Sequence, residues 1–380
     1  MTIPLCIPNL AGREAEYLQE CITTTFVSTV GPFVKRFESM VADAVGSSQA
    51  VATASGTCGL QVALVAAGVR PGDLVMAPSF TFIATANAIA TCGAQPWLFD
   101  VDAASWCLDL DLLEATLARE THRVGGATFH NATGQRVSAL MPVCAVGLVP
   151  DLVRFRAIAD QYLLPLIVDA AAAIGGTRDG QEWGRMADLS VISFNGNKTV
   201  TSGGGGAVVG GNEPMLARVR HLSSTARVDA DYNHDAVAFN YRMTNICAAV
   251  GCAQMEQLSD FVAAKRRIRD TYREALSDIA GIGFYPEAAT AENVCWLSGA
   301  VLPEAGPSVS AVVAALKAEQ IEARAFWKPV HLQAPYLDAR RTPMAVTDAL
   351  WRRVITLPSS TSLTPTDQAR VIDVVRKALA

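Results

Sequence analysis

Short apolar runs separated by helix-sized segments fill the chain from about residue 48 to 210. SQAVATAS, DLVMAPS, QPWLFD, ALMPVCA, LLPLIVD, LSVISF and GAVVGG read as strands. Thr57–Ala67, Phe82–Thr91 and Asp151–Tyr162 read as helices between them. Strands this apolar, alternating with helices, predict a mostly parallel sheet covered on both faces. After about residue 250 the texture changes. Ser259–Ile279 sets Phe261, Ile268, Tyr272, Leu276 and Ile279 at helical spacing, with Arg266, Arg267, Arg269, Asp270 and Glu274 on the remaining faces. That pattern predicts an amphipathic surface helix. CWLSGAVL, EARAFWKPVHL and WRRVITLP then read as strands or extended connections, and TPTDQARVIDVVRKALA as a closing helix. The chain is therefore expected to divide into a large α/β domain over 1–250 and a small α+β domain over 251–380.

Composition narrows the function classes. The 380 residues are 51% hydrophobic, which suffices for a sizeable core and a second domain. A net charge of −5, with no run of Lys or Arg, argues against a nucleic-acid partner. Two stretches, Asp43 to Arg70 and Asp73 to Asp100, carry no charge between their ends and are long enough to span a bilayer. Both are broken by Gly, Ser, Thr, Asn, Gln and Pro, so they read as buried strand–helix pairs rather than membrane helices. MTIPLCIPNLAGRE lacks the basic and apolar regions of a signal peptide. Nine scattered cysteines without a CxxC predict reduced thiols, no metal site and a cytoplasmic protein.

Four features could carry chemistry. Lys198 follows the strand ending at Ser193-Phe194 and precedes four glycines, where open α/β sheets bind ligands. A glycine-rich turn with a solvated lysine gives the same pattern. Asp169 closes the strand LLPLIVD, where a buried carboxylate needs a partner. It could equally cap a helix or bind a metal. Ser55-Gly56-Thr57 joins a strand to a helix and places free amides at a positive helix terminus, as an anion site or as an ordinary cap. No GK[ST] follows, so it is not a P-loop. Phe80-Thr81-Phe82 adds an aromatic pair. Together they match the needs of pyridoxal phosphate: a phosphate cradle, a stacking face, a carboxylate for the ring nitrogen and an imine-forming lysine.

With these pieces in place, the chain resembles the DegT/DnrJ/EryC1/StrS family of sugar aminotransferases, which have the fold-type-I architecture of pyridoxal-phosphate enzymes. The resemblance is carried by FVSTVGPFVKRFE, ASGT, PSFTFIATANAI, LFDVD, VDAA, SFNGNK, SGGGG, FNYRMTN and FWKPVH, nearly end to end. It implies a mostly parallel seven-stranded sheet. It also implies that Lys198 holds the cofactor and shuttles the proton, and that Asp169 partners the ring nitrogen. Gly56, Thr57 and Ser193 match phosphate contacts, and Phe82 matches the stacking aromatic. Asn240 matches a contact reaching in from a neighbouring subunit, hence a homodimer, while Arg242 and His331 match positions near the substrate. The implied reaction is ping-pong transfer from glutamate to C4 of a nucleotide-linked 4-keto-6-deoxy sugar. Within the family the chain looks most like the enzymes acting on the UDP-linked N-acetyl sugar in bacillosamine or legionaminate synthesis, with GDP-perosamine synthases sharing similar motifs.

Two departures stand out. Ala172 occupies a place where the family usually has a polar residue, and Cys144-Ala145-Val146-Gly147 replaces the more usual His-Leu-Tyr-Gly. Arg119–Val137 is longer than the family norm and reads as a surface hairpin or loop insertion. A sugar dehydratase of the same fold has histidine at the lysine position, so Lys198 argues against it. A non-catalytic sugar-binding protein would not need that lysine, and a Rossmann dehydrogenase would need a GxGxxG that no early strand provides.

Overall fold

The computed structural model describes residues 2–380. The strands of the larger unit are β1 (Ala50–Thr53), β2 (Leu74–Pro78), β3 (Gln95–Phe99), β4 (Thr121–Val124), β5 (Ala127–His130), β6 (Arg136–Leu140), β7 (Ile167–Asp169), β8 (Thr177–Arg178), β9 (Leu189–Ser193) and β10 (Gly206–Val209). β3, β2 and β6 pair in parallel, as do β7 and β9. Single bridges at Leu140–Leu166 and Val143–Asp169 join the two groups. The resulting order is β3-β2-β6-β7-β9-β10-β1, seven strands of which only β10 runs against its neighbours.

Alternate residues along each strand enter different cores. Ala50, Ala52, Leu74, Met76, Val168, Ile192, Ala207 and Val209 face one way, and Val51, Val75, Ala77, Ile167, Val191 and Val208 the other. The first face is covered by α1 (Glu14–Thr24), α2 (Pro32–Val45), α5 (Leu110–Glu120), α6 (Leu152–Gln161) and α8 (Asn245–Met255). The second is covered by α3 (Gly56–Ala66), α4 (Ala84–Thr91) and α7 (Glu213–Ser223). A sheet buried on both sides explains why its strands read as continuous apolar runs.

The expected strand ALMPVCA is displaced toward the N-terminus. β6 ends at Leu140, because Pro142 has no N–H to continue the ladder. Beyond it only Val143 keeps a bridge, to Asp169. The segment 119–137 forms a hairpin: β4 and β5 pair antiparallel, and β5 then lies against the first half of β6.

The C-terminal unit is a four-stranded antiparallel sheet in the order β11 (Gly283–Phe284), β13 (Ser298–Val301), β15 (Val354–Leu357), β14 (Arg324–Ala325). β12 (Ala291–Glu292) instead pairs with β8 of the larger unit. Of EARAFWKPVHL, only Arg324–Ala325 is strand. Helices α9 (Leu258–Leu276), α10 (Val309–Ala318) and α12 (Pro365–Leu379) pack on this sheet, with α11 (Ala345–Leu350) leading into β15. α9 spans both cores: Phe261 lies in the first, Ile268, Tyr272 and Leu276 in the second. An N-terminal strap also crosses, since Ile3 pairs with Ile321 and the Ser359 amide donates to the Leu5 carbonyl.

Candidate active site

The carboxyl ends of β1, β2, β7 and β9 open onto one cavity of about 280 Å³. Ser55, Gly56, Thr57, Phe82, Asp169, Ser193 and Lys198 line it, with Trp296 and Trp327 from the C-terminal unit. This is where a parallel sheet leaves room for a ligand.

At the end of β1, Ser55 caps α3 by accepting the Cys58 amide at 3.1 Å. Helix geometry leaves the Gly56 and Thr57 amides without intrahelical acceptors, so they point out of a positive helix terminus. The cradle is tight. A Cβ on Gly56 would lie 2.9 Å from the Ser193 Cβ, and one on Gly206 would lie 2.6 Å from the Gly56 nitrogen. Only glycine at both places lets β10 and the Ser193 end of β9 pass against the start of α3.

Asp169 ends β7 with 5% exposure. Its Oδ2 accepts from the Thr85 hydroxyl at 2.7 Å and its Oδ1 from the Ala171 amide at 3.1 Å. Burial raises its pKa, while Thr85, Ala171 and the Lys198 charge pull the other way. Thr85 sits in the first turns of α4 and is itself held by Thr81 at 3.0 Å.

Lys198 follows β9 in a loop fixed by the Phe194 carbonyl, which accepts from the Thr201 hydroxyl and the Ser202 amide. Its Nζ lies 3.6 Å from the centroid of the Trp296 ring, a cation–π contact. Burial lowers its pKa to about 8, against the upward pull of Asp169 and Cys6. An amine in this state gives up a proton near neutrality far more readily than a solvated lysine.

These residues fit pyridoxal phosphate. The α3 terminus and Ser193 would cradle a phosphate, Asp169 is a buried carboxylate able to pair with a protonated ring nitrogen, and Lys198 is a desolvated amine. Phe82 is 54% exposed and packs at a tilt against Trp327, with ring centroids 5.8 Å apart. Val143, Cys144, Val146 and Ala172 make the wall beside Asp169 apolar.

A model of the DegT/DnrJ/EryC1/StrS aminotransferase family matches residues 8–376. The chain belongs to this family. The GDP-perosamine synthase of Caulobacter vibrioides is 34% identical over 380 residues, covering 99% of this chain and 98% of that protein. A DegT DnrJ EryC1 StrS aminotransferase from Brucella abortus superposes with a TM-score of 0.88 at 29% identity, over 96% of this chain and 95% of that one. The structure of DesI in the presence of its TDP-sugar product gives 0.86 at 30% identity, over 98% and 93%. The fold is that of the fold-type-I pyridoxal-phosphate enzymes, and this DegT-family member is an aminotransferase with pyridoxal phosphate as its cofactor.

Three residues singled out from the sequence lie outside the cavity of their own chain. Asn240 is exposed and pairs through its backbone with Ser224. Arg242 turns away to Glu38 at 2.7 Å, which also binds Arg220 at 3.0 Å. His331 is buried, its Nδ1 2.7 Å from the Ser79 hydroxyl and its Nε2 3.1 Å from Asp348. Conversely, Thr85, Trp296 and Trp327 line or support the site without having been singled out, although Trp327 lies in the quoted run FWKPVH. Thr85 lies in the quoted run PSFTFIATANAI, and only the fold shows that its hydroxyl meets Asp169.

Proposed function

We propose that this aminotransferase moves an amino group from glutamate to C4 of a nucleotide-linked 4-keto-6-deoxy sugar, UDP-2-acetamido-2,6-dideoxy-hexos-4-ulose, by two half-reactions. The observation that carries the reading is the desolvated Lys198 amine, 3.6 Å from the Trp296 ring and sharing one cavity with Asp169 and the α3 terminus. When bound, pyridoxal phosphate supplies an electron sink conjugated to the reacting carbon. The Gly56 and Thr57 amides and the Ser193 hydroxyl would hold its phosphate. Asp169, steadied by Thr85, would keep its ring nitrogen protonated. Lys198 Nζ would be the amine that holds the cofactor and the base that accepts the Cα proton of the amino donor and gives it back. Trp296 and Trp327 keep water from that amine.

A GDP-linked sugar is the second reading, favoured by the 34% identity to a GDP-perosamine synthase over nearly the whole of both chains. The proposed assembly is a cytoplasmic homodimer in which Asn240, exposed and outside its own cavity, reaches the site of the neighbour. His331, with both ring nitrogens engaged, is assigned to packing rather than to the substrate. The proposed division of the chain is a large α/β domain over 1–250 and a small α+β domain over 251–380, with Ile3 of the N-terminal strap packing in the C-terminal core. Incubation with glutamate and each keto sugar, followed by mass spectrometry and NMR of the product, tests the substrate. Amination at C4 of the UDP sugar is expected. Turnover of the GDP sugar alone would favour the second reading, and turnover of neither would refute both.

A further inference from the structure

A buried cation away from the cavity has no part in the reaction described so far. Lys265, on α9, is 1% exposed, and its ammonium has three donors. They meet the Trp296 carbonyl at 3.0 Å, the Ser359 carbonyl at 2.5 Å and the Cys6 Sγ at 3.4 Å. None of these partners is a carboxylate. They lie on three separate segments: the turn before β13, the turn after β15 and the N-terminal strap. An apolar side chain of the same volume would fill the space without removing a charge from water. A lysine here therefore holds its three neighbours in place at a cost.

Those neighbours lead to the reacting amine. The Trp296 Nε1 donates to the Asn197 carbonyl at 2.6 Å, and the Cys6 thiol donates to the same carbonyl at 3.2 Å. Asn197 precedes Lys198, and the Trp296 ring covers the Lys198 ammonium at 3.6 Å. Lys265, Trp296, Asn197 and Cys6 close a ring of hydrogen bonds around the base of Lys198. We infer that Lys265 is a positioning residue for the transamination. It fixes the Trp296 ring over Lys198 and fastens the Cys6 strap to the Lys198 loop, which keeps water from the amine. Lys265 does not itself line the cavity. The inference rests on the proposed reaction for its meaning and on the hydrogen-bond ring for its geometry.

The charged or titratable groups acting on Lys198 are Asp169 and Cys6; those acting on Lys265 are Cys6 and Cys295. A purely structural Lys265 would affect the melting temperature only. A positioning Lys265 also sets the protonation of Lys198, because admitting water restores the amine toward its ordinary value. The test is competitive acetylation of the full chain without cofactor across pH, with Lys198 read by mass spectrometry. Wild type is expected to titrate near 8. Lys265→Met is expected to move that midpoint up by about one unit. Lys265→Gln, which keeps two donors, should move it less. A folded Lys265→Met with an unmoved midpoint overturns the inference. Should Lys265→Met fail to fold, Lys265→Gln takes its place, and a folded Lys265→Gln with an unmoved Lys198 midpoint overturns the inference. Failure of wild type to bind pyridoxal phosphate would instead refute the proposed function, so the two failures are distinguishable.

Discussion

The role proposed for Lys198 requires it to lose a proton near neutral pH, and burial lowers its pKa to about 8. Capture of the cofactor aldehyde needs the neutral amine, which is scarce below the folded pKa and abundant above it. The capture rate is therefore expected to rise with pH through about 8 and then level off, as stopped-flow mixing of apoprotein with pyridoxal phosphate would show. A solvated lysine would still be gaining rate near pH 10. Asp169 depends on a second residue in the same way. Thr85→Val removes the 2.7 Å bond to Oδ2 while keeping the side chain's shape. Bonds to charged groups are worth about 1.5–3 kcal/mol, so kcat should fall roughly ten- to hundredfold, measured by steady-state kinetics. Lys198, Asp169 and Gly56 could be singled out in the sequence because each ends a strand or closely follows one, where local pattern and chemistry coincide. Trp296 and Lys265 were not. They approach Lys198 from far along the chain, and no spacing announces a ring or an ammonium that tertiary packing delivers.

At the scale of elements, the start of α3 is the most constrained feature of the site. Gly206→Ala would set a Cβ 2.6 Å from the Gly56 nitrogen and force the helix terminus off β10. Affinity for pyridoxal phosphate is expected to drop by on the order of tenfold, read by spectroscopic titration, since the phosphate amides move with the helix. Most strands were readable because a doubly covered sheet makes them apolar throughout. The misplaced one, ALMPVCA, failed for a local reason: Pro142 interrupts the ladder and leaves apolar residues in a loop, where they line the cavity instead. EARAFWKPVHL, read as strand or extended connection, is mostly the latter, because Phe326 and Trp327 serve the aromatic cluster at the site rather than a sheet.

For the whole molecule, α9 contributes to two cores, and the strap at residues 3–7 and the β8–β12 pair bridge the two units, so the site forms where both meet. The proposed dimer makes a separate prediction. Lys198→Ala and Asn240→Ala chains, each poorly active alone, are expected to regain activity when unfolded and refolded together. A mixed dimer then holds one site with both residues intact, giving about one quarter of wild-type activity at random pairing. No recovery in that assay would place Asn240 outside the neighbour's site. The most direct test of the central claim is the visible spectrum of the protein with pyridoxal phosphate, before and after glutamate, beside Lys198→Ala. The account predicts a band from covalently bound cofactor that glutamate bleaches and that the variant never forms. A wild-type protein without that band, or a variant that keeps it, would contradict the assignment of Lys198.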